Sequence, residues 1–193
     1  MCGIAGYIGK KKISRTSLKK TLDLMKNRGP DNQKSLNFRY KENFVYLLHS
    51  RLNIIDLNSR SDQPFSINEF SITYNGEIYN YLELKKSLEQ KGYKFITKSD
   101  TEVLLNLYIE YGEKCVNFLE GMWAFVIWNN TQKKLFISRD RFGEKPLYIH
   151  KSDEGFFFGS EVKFISCLKN YKFKINYNKL NLFLQNGYKF LNY

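Results

Sequence analysis

Apolar and polar positions change period several times along this chain, and each change predicts a new element. Gly3 to Ile8 is small and apolar throughout and predicts a first strand. Leu18, Leu22 and Met25 recur at helical spacing within Thr16 to Lys26, and Asn27-Arg28-Gly29-Pro30 then stops the helix. Leu36 to Tyr40 and Phe44 to Leu48 flank Lys41-Glu42-Asn43 as a hairpin. Arg51 to Ser66 is polar around Ile54-Ile55 and reads as a long loop, a length often reserved for function. Phe70 to Tyr74 alternates as a strand and runs into Asn75-Gly76, a pair that commonly turns a hairpin.

The second half continues in the same manner. Asn80 is placed to cap a helix from Tyr81 to Lys91, which Gly92 ends, and Tyr93 to Thr97 predicts a short strand. Asp100 is placed to cap a helix from Thr101 to Tyr111, with Val103, Leu104, Leu107 and Tyr108 inward. Ala124 to Trp128 with Leu135 to Ser138, and Leu147 to His150 with Gly155 to Phe158, predict two further hairpins. Val162 to Cys167 is a short helix, and Asn176 to Asn192 is amphipathic, with Leu180, Phe183 and Leu184 on one face. Strands, then helices, then strands is not a βαβ alternation. It points to antiparallel sheets with helices packed outside, an α+β fold.

Composition narrows the classes without naming one. A chain of 193 residues with 42% apolar residues can bury a core. No apolar run is long enough to span a membrane, and the first residues lack the pattern of a signal peptide, so a cytoplasmic protein with no membrane partner is expected. The net charge of +12 is spread along the chain rather than gathered in a stripe, so no nucleic-acid partner is expected. Cys2, Cys115 and Cys167 fit no metal spacing, and His49 and His150 are the only histidines, so no metal site is expected. Cys115 and Cys167 lie among apolar neighbours and read as buried core thiols.

Cys2 is different because of where it stands. With Met1 removed, its thiol and the free α-amino group belong to one residue. A free α-amine has a pKa of about 7.7–8.0. It can therefore take the thiol proton with no histidine involved.

Several stretches then carry a family resemblance. They are Cys2-Gly3-Ile4-Ala5-Gly6, Arg28-Gly29-Pro30-Asp31, His49 through Asp56, Gln63-Pro64, Tyr74 through Asn80, Ser99 through Glu102, Glu120 through Phe125 and Arg139 through Tyr148. Together and in this order they resemble the glutaminase domain of class II glutamine amidotransferases, most closely that of the asparagine synthetase family. The resemblance implies a four-layer αββα sandwich of the N-terminal-nucleophile hydrolase type, with two antiparallel sheets between helices. It implies that Cys2 attacks the side-chain amide of L-glutamine while Asn75 and Gly76 hold the oxyanion. Arg51 would grip the substrate carboxylate, and the loop Leu52, Asn53, Ile54 and Ile55 would line the pocket. Asp100 would accept the ammonium, with Glu77 sharing that task. His49 is expected to be structural, and Arg139-Asp140-Arg141 to form a buried ion-pair loop supporting the pocket.

The same resemblance implies a division of labour. Residues 1–175 would be the amidotransferase domain, and residues 176–193 a linker helix toward a synthetase domain. The Ser-Gly-Gly-x-Asp-Ser loop with which that domain binds ATP does not occur in this sequence. Glutamine hydrolysis needs no cofactor on this reading, and ATP and Mg would serve only the synthetase, as a separate chain or as further sequence. A truncated or non-catalytic interaction module, and a glutaminase serving another amidation pathway, are the alternatives. Homo-oligomerisation is left open.

Overall fold

A computed structural model describes residues 1–187 of the chain. Nine strands and five α-helices are defined among these residues. They run β1 (Gly3–Gly9), α1 (Arg15–Met25), β2 (Asn32–Tyr40), β3 (Asn43–Arg51), β4 (Phe65–Ile67), β5 (Phe70–Ile78), α2 (Tyr81–Gln90) and α3 (Asp100–Tyr111). Then follow β6 (Gly121–Asn129), β7 (Lys134–Arg139), β8 (Tyr148–Ser152), β9 (Gly155–Gly159), α4 (Val162–Lys169) and α5 (Tyr177–Asn186). One sheet has the order β2-β3-β1-β9-β8 and the other β4-β5-β6-β7, and every pairing is antiparallel.

Side-chain alternation explains why the central strands read as unbroken apolar runs. Along β1, β3 and β9, Ile4, Val45, Leu47 and Phe158 face the second sheet, where they meet Ala124, Val126 and Trp128 of β6. Their neighbours Ala5, Tyr7, Tyr46, Leu48 and Phe157 face outward onto Met25 of α1 and Phe164, Ile165 and Leu168 of α4. On the far side, Ile72, Tyr74, Trp123, Phe125 and Ile127 pack against Leu88 of α2 and Leu104, Leu107 and Tyr108 of α3. Both faces of the central strands β1, β3, β6 and β9 are covered, so both residues of an alternating pair are buried there and most are apolar. The layers are helix, sheet, sheet, helix, as the resemblance implies.

Local expectations fail at instructive places. Asn75-Gly76 does not turn the chain: β5 continues through it to Ile78, with Asn75 opposite Ala124 and Gly76 opposite Trp123. Tyr93 to Thr97 forms no strand, because the N–H groups of Ile96 and Thr97 donate to the Glu102 carboxylate (2.9 and 2.7 Å) instead of to a neighbouring strand. The last two residues of the expected long loop, Phe65 and Ser66, form the edge strand β4 together with Ile67.

The cap of α3 is Ser99, whose hydroxyl accepts from Thr101 N–H at 3.2 Å, and Asp100 is the first helical residue. Asn80 stands at the N-cap of α2 but turns its amide away, donating to Phe118 O (2.9 Å) and accepting from Glu120 N–H (3.1 Å). Cys115 is buried as expected, whereas Cys167 is only half-buried between α4 and α1. The expected helix from Asn176 is present as α5 with Asn176 as its cap, and its continuation to Asn192 lies outside the described residues.

Candidate functional site

The site forms where the ends of β1, β3 and β5 meet. Gly3 pairs with Ser50, which places Cys2 and Arg51 side by side at one edge of their sheet. Two buried hydrogen bonds tie the sheets together just beneath. His49 Nε2 meets Tyr74 O at 3.0 Å, and Thr73 Oγ1 donates to Leu48 O at 3.0 Å. His49 is fully buried, and burial lowers its pKa to about 3. It is neutral near pH 7, so Nε2 carries the proton that Tyr74 O accepts. That is the structural role expected of it.

A cavity opens above these bonds. Cys2, Arg51, Leu52, Ile54, Ile55, Gly76, Glu77 and Asp100 all line it, together with Gln63, Tyr74 and Thr101. Residues 49 apart in sequence, Arg51 and Asp100, thus share one wall system with the chain's second residue. Asn53 and Asn75 are not among the lining residues. Asn53 turns its backbone N–H onto Asp31 Oδ2 at 2.7 Å, which anchors the loop. Asn75 is buried on the β5 face shared with Thr73, and among the described residues its Nδ2 has no hydrogen-bond partner. A buried amide N–H left unpaired is costly, so this donor calls for a partner that binds there.

The sulfur of Cys2 is held from the other side. Leu52 N–H points at Sγ (3.4 Å), and Arg28 Nε donates to Cys2 O at 2.9 Å. Burial pushes the Cys2 thiol pKa up, against the Leu52 N–H, the chain's amino terminus and Arg51, which pull it down. The thiol is therefore protonated near neutrality and needs a base to become a nucleophile.

Gly76 is required by close approach rather than by flexibility. A Cβ there would lie 2.3 Å from Met122 O and 2.8 Å from Trp123 Cα. Asp100 reaches the cavity from α3, with Oδ2 accepting from Tyr74 OH (2.8 Å) and Ile78 N–H (3.1 Å). Its burial raises its pKa in spite of these bonds. A cation bound beside it would offset that desolvation. The Glu77 carboxylate is half-exposed on the same rim.

Arg51 is more committed than its sequence position suggests. Nη1 donates to Asp62 Oδ1 (2.7 Å) and Asn58 O (3.0 Å), and Nη2 to the carbonyls of Ile55 and Asp56. The guanidinium therefore shapes the very loop that walls the cavity. Asp62 in turn accepts from Asn32 and Lys34. Asp56 latches the loop to the opposite wall, accepting from Lys98 N–H at 2.7 Å and Asn58 N–H at 3.1 Å. The Lys98 N–H is the main reason its pKa falls to about 2.

Sequence reasoning assigned no role to Arg28, Asp56, Asp62 or Gln63, although all but Asp62 lie in the stretches that carried the resemblance. Gln63 accepts from Tyr74 N–H (2.7 Å) and donates to Thr101 Oγ1 (3.1 Å), joining β5 to α3 behind the cavity. Arg28 also bonds Glu161 Oε1 at 3.3 Å. Polarity and burial combined mark these residues, and burial is not written in the sequence.

Arg139-Asp140-Arg141 is not an ion-pair loop. Asp140 accepts from the N–H groups of Trp123, Glu144 and Lys145, Arg139 donates to the carbonyls of Gly143 and Lys145, and Arg141 lies over the Trp123 ring. Side-chain-to-backbone bonds satisfy the tight loop better than a pair between exposed arginines and a buried carboxylate would. Among the described residues no cluster of His, Cys, Asp and Glu is placed to hold a metal ion, and no helix is long and apolar enough to cross a membrane.

Comparison with known proteins places these features in a wider set. Residues 1–192 match the family described as the glutamine amidotransferase domain. The chain is 37% identical over 183 residues to asparagine synthetase [glutamine-hydrolyzing] 3 of Bacillus subtilis, covering 91% of this chain and 29% of that protein. It is 38% identical to putative asparagine synthetase [glutamine-hydrolyzing] 2 of Methanocaldococcus jannaschii, covering 93% and 38%, and 41% identical to asparagine synthetase [glutamine-hydrolyzing] 2 of Oryza sativa, covering 86% and 28%. It thus spans well under half the length of these relatives. Among solved structures, glutamine phosphoribosylpyrophosphate amidotransferase from B. subtilis superposes with a TM-score of 0.71 at 21% identity, over 87% of this chain and 44% of that one. At that identity the likeness concerns the fold.

Proposed function

The chain belongs to the glutamine amidotransferase domain family, and on that premise we propose that it is the glutaminase half of an asparagine-synthetase-type enzyme. One observation carries the reading to individual residues. The Cys2 thiol shares its cavity with Gly76 and Asp100, while the Asn75 Nδ2–H beside Gly76 is buried without a partner among the described residues.

Met1 is removed, and the neutral α-amine of Cys2 takes the proton from Sγ. The thiolate attacks the side-chain amide carbon of L-glutamine, and the carbonyl oxygen becomes an oxyanion. Asn75 Nδ2–H and Gly76 N–H donate to it, a contribution of about 2.7–4 kcal/mol for each such donor. The ammonium form of the Cys2 amine returns its proton to the departing nitrogen, so ammonia leaves and a thioester remains. Water hydrolyses the thioester to glutamate. The substrate ammonium sits against Asp100, with Glu77 on the rim. The substrate carboxylate draws Arg51 Nη2 away from the Ile55 and Asp56 carbonyls, while Asp62 keeps Nη1. Leu52, Ile54 and Ile55 close the apolar side, and Asn53 holds the loop through Asp31.

These steps use only groups of this chain. The ammonia passes to an ATP- and Mg-dependent synthetase, which amidates aspartate in the cytoplasm. The relatives' names and their greater length support that partner. The apolar residues Leu180, Phe183 and Leu184 exposed on α5 support a contact with it.

The purified chain is expected to release glutamate from glutamine, and Cys2→Ala to abolish this. Equal release by both proteins would sink the reading. A glutamine-like alkylating agent should add once to the des-Met protein by intact mass, and adduct formation on Cys2→Ala would count against Cys2.

A further inference from the structure

Asp62 enters the steps above only by keeping one arm of Arg51, yet it is held more firmly than an ordinary ion-pair partner. The Arg51 and Asp62 side chains are 6% and 5% exposed, and Nη1 meets Oδ1 at 2.7 Å. Ser61 and Gln63 line the cavity, while Asp62 between them lies behind its wall.

The Asp62 carboxylate is fixed from several sides. Oδ2 accepts from Asn32 Nδ2 at 2.9 Å and from Lys34 Nζ at 2.7 Å, both on β2. Asn32 stands directly opposite Arg51 in the β2–β3 ladder. One register therefore places both the arginine and the amide that fixes its partner. The Asp62 N–H donates to Ser59 O at 3.1 Å, and the next residue, Gln63, is tied to Tyr74 and Thr101. Asp62 is thus anchored independently of Arg51.

The two arms of the guanidinium are held unequally. Nη1 donates to a carboxylate as well as to Asn58 O, whereas Nη2 donates only to the neutral carbonyls of Ile55 (3.4 Å) and Asp56. Breaking the buried pair at Nη1 would strand two charges, so Nη2 is the arm that yields. The charges also leave a surplus. Arg51 and Lys34 are both cations on the single carboxylate of Asp62, so the group retains one positive charge for one incoming carboxylate.

We propose that Asp62 is a positioning residue that makes the pocket select a free α-carboxylate. Resting on the glutaminase reading, it serves as the pivot on which Arg51 turns Nη2 to the substrate, and it touches no substrate atom itself. The selectivity it confers concerns the carboxylate end of glutamine and not the amide that reacts.

The full des-Met chain is to be compared with Asp62→Asn, which keeps the shape and removes the charge, and with Lys34→Met, at a half-exposed position of β2. Each is assayed for ammonia release from L-glutamine and from 4-aminobutanamide, which carries the same amine and side-chain amide without the carboxylate. Asp62→Asn should raise KM for glutamine about tenfold with kcat changed by less than about twofold, and Lys34→Met should raise KM about threefold. The kcat/KM for 4-aminobutanamide should be the same in all three proteins. An unchanged KM in Asp62→Asn would overturn the proposal, and if that variant does not fold, an unchanged KM in Lys34→Met overturns it equally. Equal losses on both substrates, or a kcat that falls as far as KM rises, would reveal a loosened pocket and overturn it too. Absence of glutamate release by the unsubstituted chain would instead refute the glutaminase reading. Calorimetric binding of L-glutamate, which needs no turnover, then decides the role of Asp62. Asp62→Asn should weaken that binding about tenfold, and unchanged binding, or none to the unsubstituted chain, would overturn the proposal.

Discussion

At the residue scale, Asn75 separates a structural from a catalytic amide. Its Nδ2 is buried and makes no hydrogen bond among the described residues. Truncating a structural, bonded asparagine would strand its partners and lower stability. Asn75→Ala strands nothing at Nδ2, so its thermal midpoint should stay close to that of the parent. Its kcat should nevertheless fall by about 10²–10³-fold, with KM little changed, because one oxyanion donor is lost. Steady-state kinetics and a melting curve on the same preparation check both halves. Gly76→Ala should behave in the opposite way and fail to fold well, since a Cβ there meets backbone atoms that cannot yield. Asn75 and Gly76 were legible in the sequence through the resemblance, while a local reading takes them for a turn. Arg28 was visible only as part of a stretch, and its hold on Cys2 O depends on the end of α1 meeting the start of β1.

At the element scale, the loop between β3 and β4 is held closed by charge placed against backbone. The Asp56 carboxylate has its pKa lowered to about 2 from an ordinary 3.8, mainly by the Lys98 N–H. A folded-state pKa below the unfolded one stabilises the fold above the unfolded value, and that stabilisation disappears as pH falls from about 4 through about 2. Asp56→Asn should therefore lower stability at pH 7 and matter progressively less as pH falls from about 4 through about 2. Hydrogen exchange should quicken at the Lys98 amide, and KM for glutamine should rise as the loop loosens. Unchanged exchange at Lys98 would show that the latch does not hold the loop. The loop's length was readable from its polarity, and its latch was not, because Asp56 and Lys98 are brought together only when β3 and α3 pack against β5.

At the scale of the whole molecule, the two sheets meet through apolar side chains and through His49. A folded-state pKa of about 3, against 6.5 when unfolded, means that the unfolded chain takes up a proton first as pH falls. Stability contributed by the neutral ring is full above about 6.5 and decreases as pH falls toward about 3, since the unfolded state binds more protons across that window. Denaturant midpoints should decline steadily from pH 7 to pH 4, and His49→Gln should flatten this decline. A slope identical in both proteins would remove His49 from the account. A truncation before Asn176 is expected to leave the four layers intact, because no residue of α5 is buried; circular dichroism and glutaminase assays would detect any loss.

Antiparallel sheets with helices packed outside came from the order of strands and helices in the sequence, and the four-layer order αββα came only through the resemblance. Cys2 was singled out by its place at the start of the chain, and the roles of Arg51, Asp100 and the Asn75-Gly76 pair were named by the resemblance alone. Tertiary structure decided what each of them touches. Pairing with Trp123 and Ala124 turns Asn75-Gly76 from a reverse turn into strand, Asp62 claims one arm of Arg51, and Asp140 binds backbone N–H groups rather than its neighbouring arginines. The physical reason is range. Periodicity reports which residues seek burial within one element, whereas the partner of a buried charge or an unpaired N–H is fixed by contacts between residues tens of positions apart.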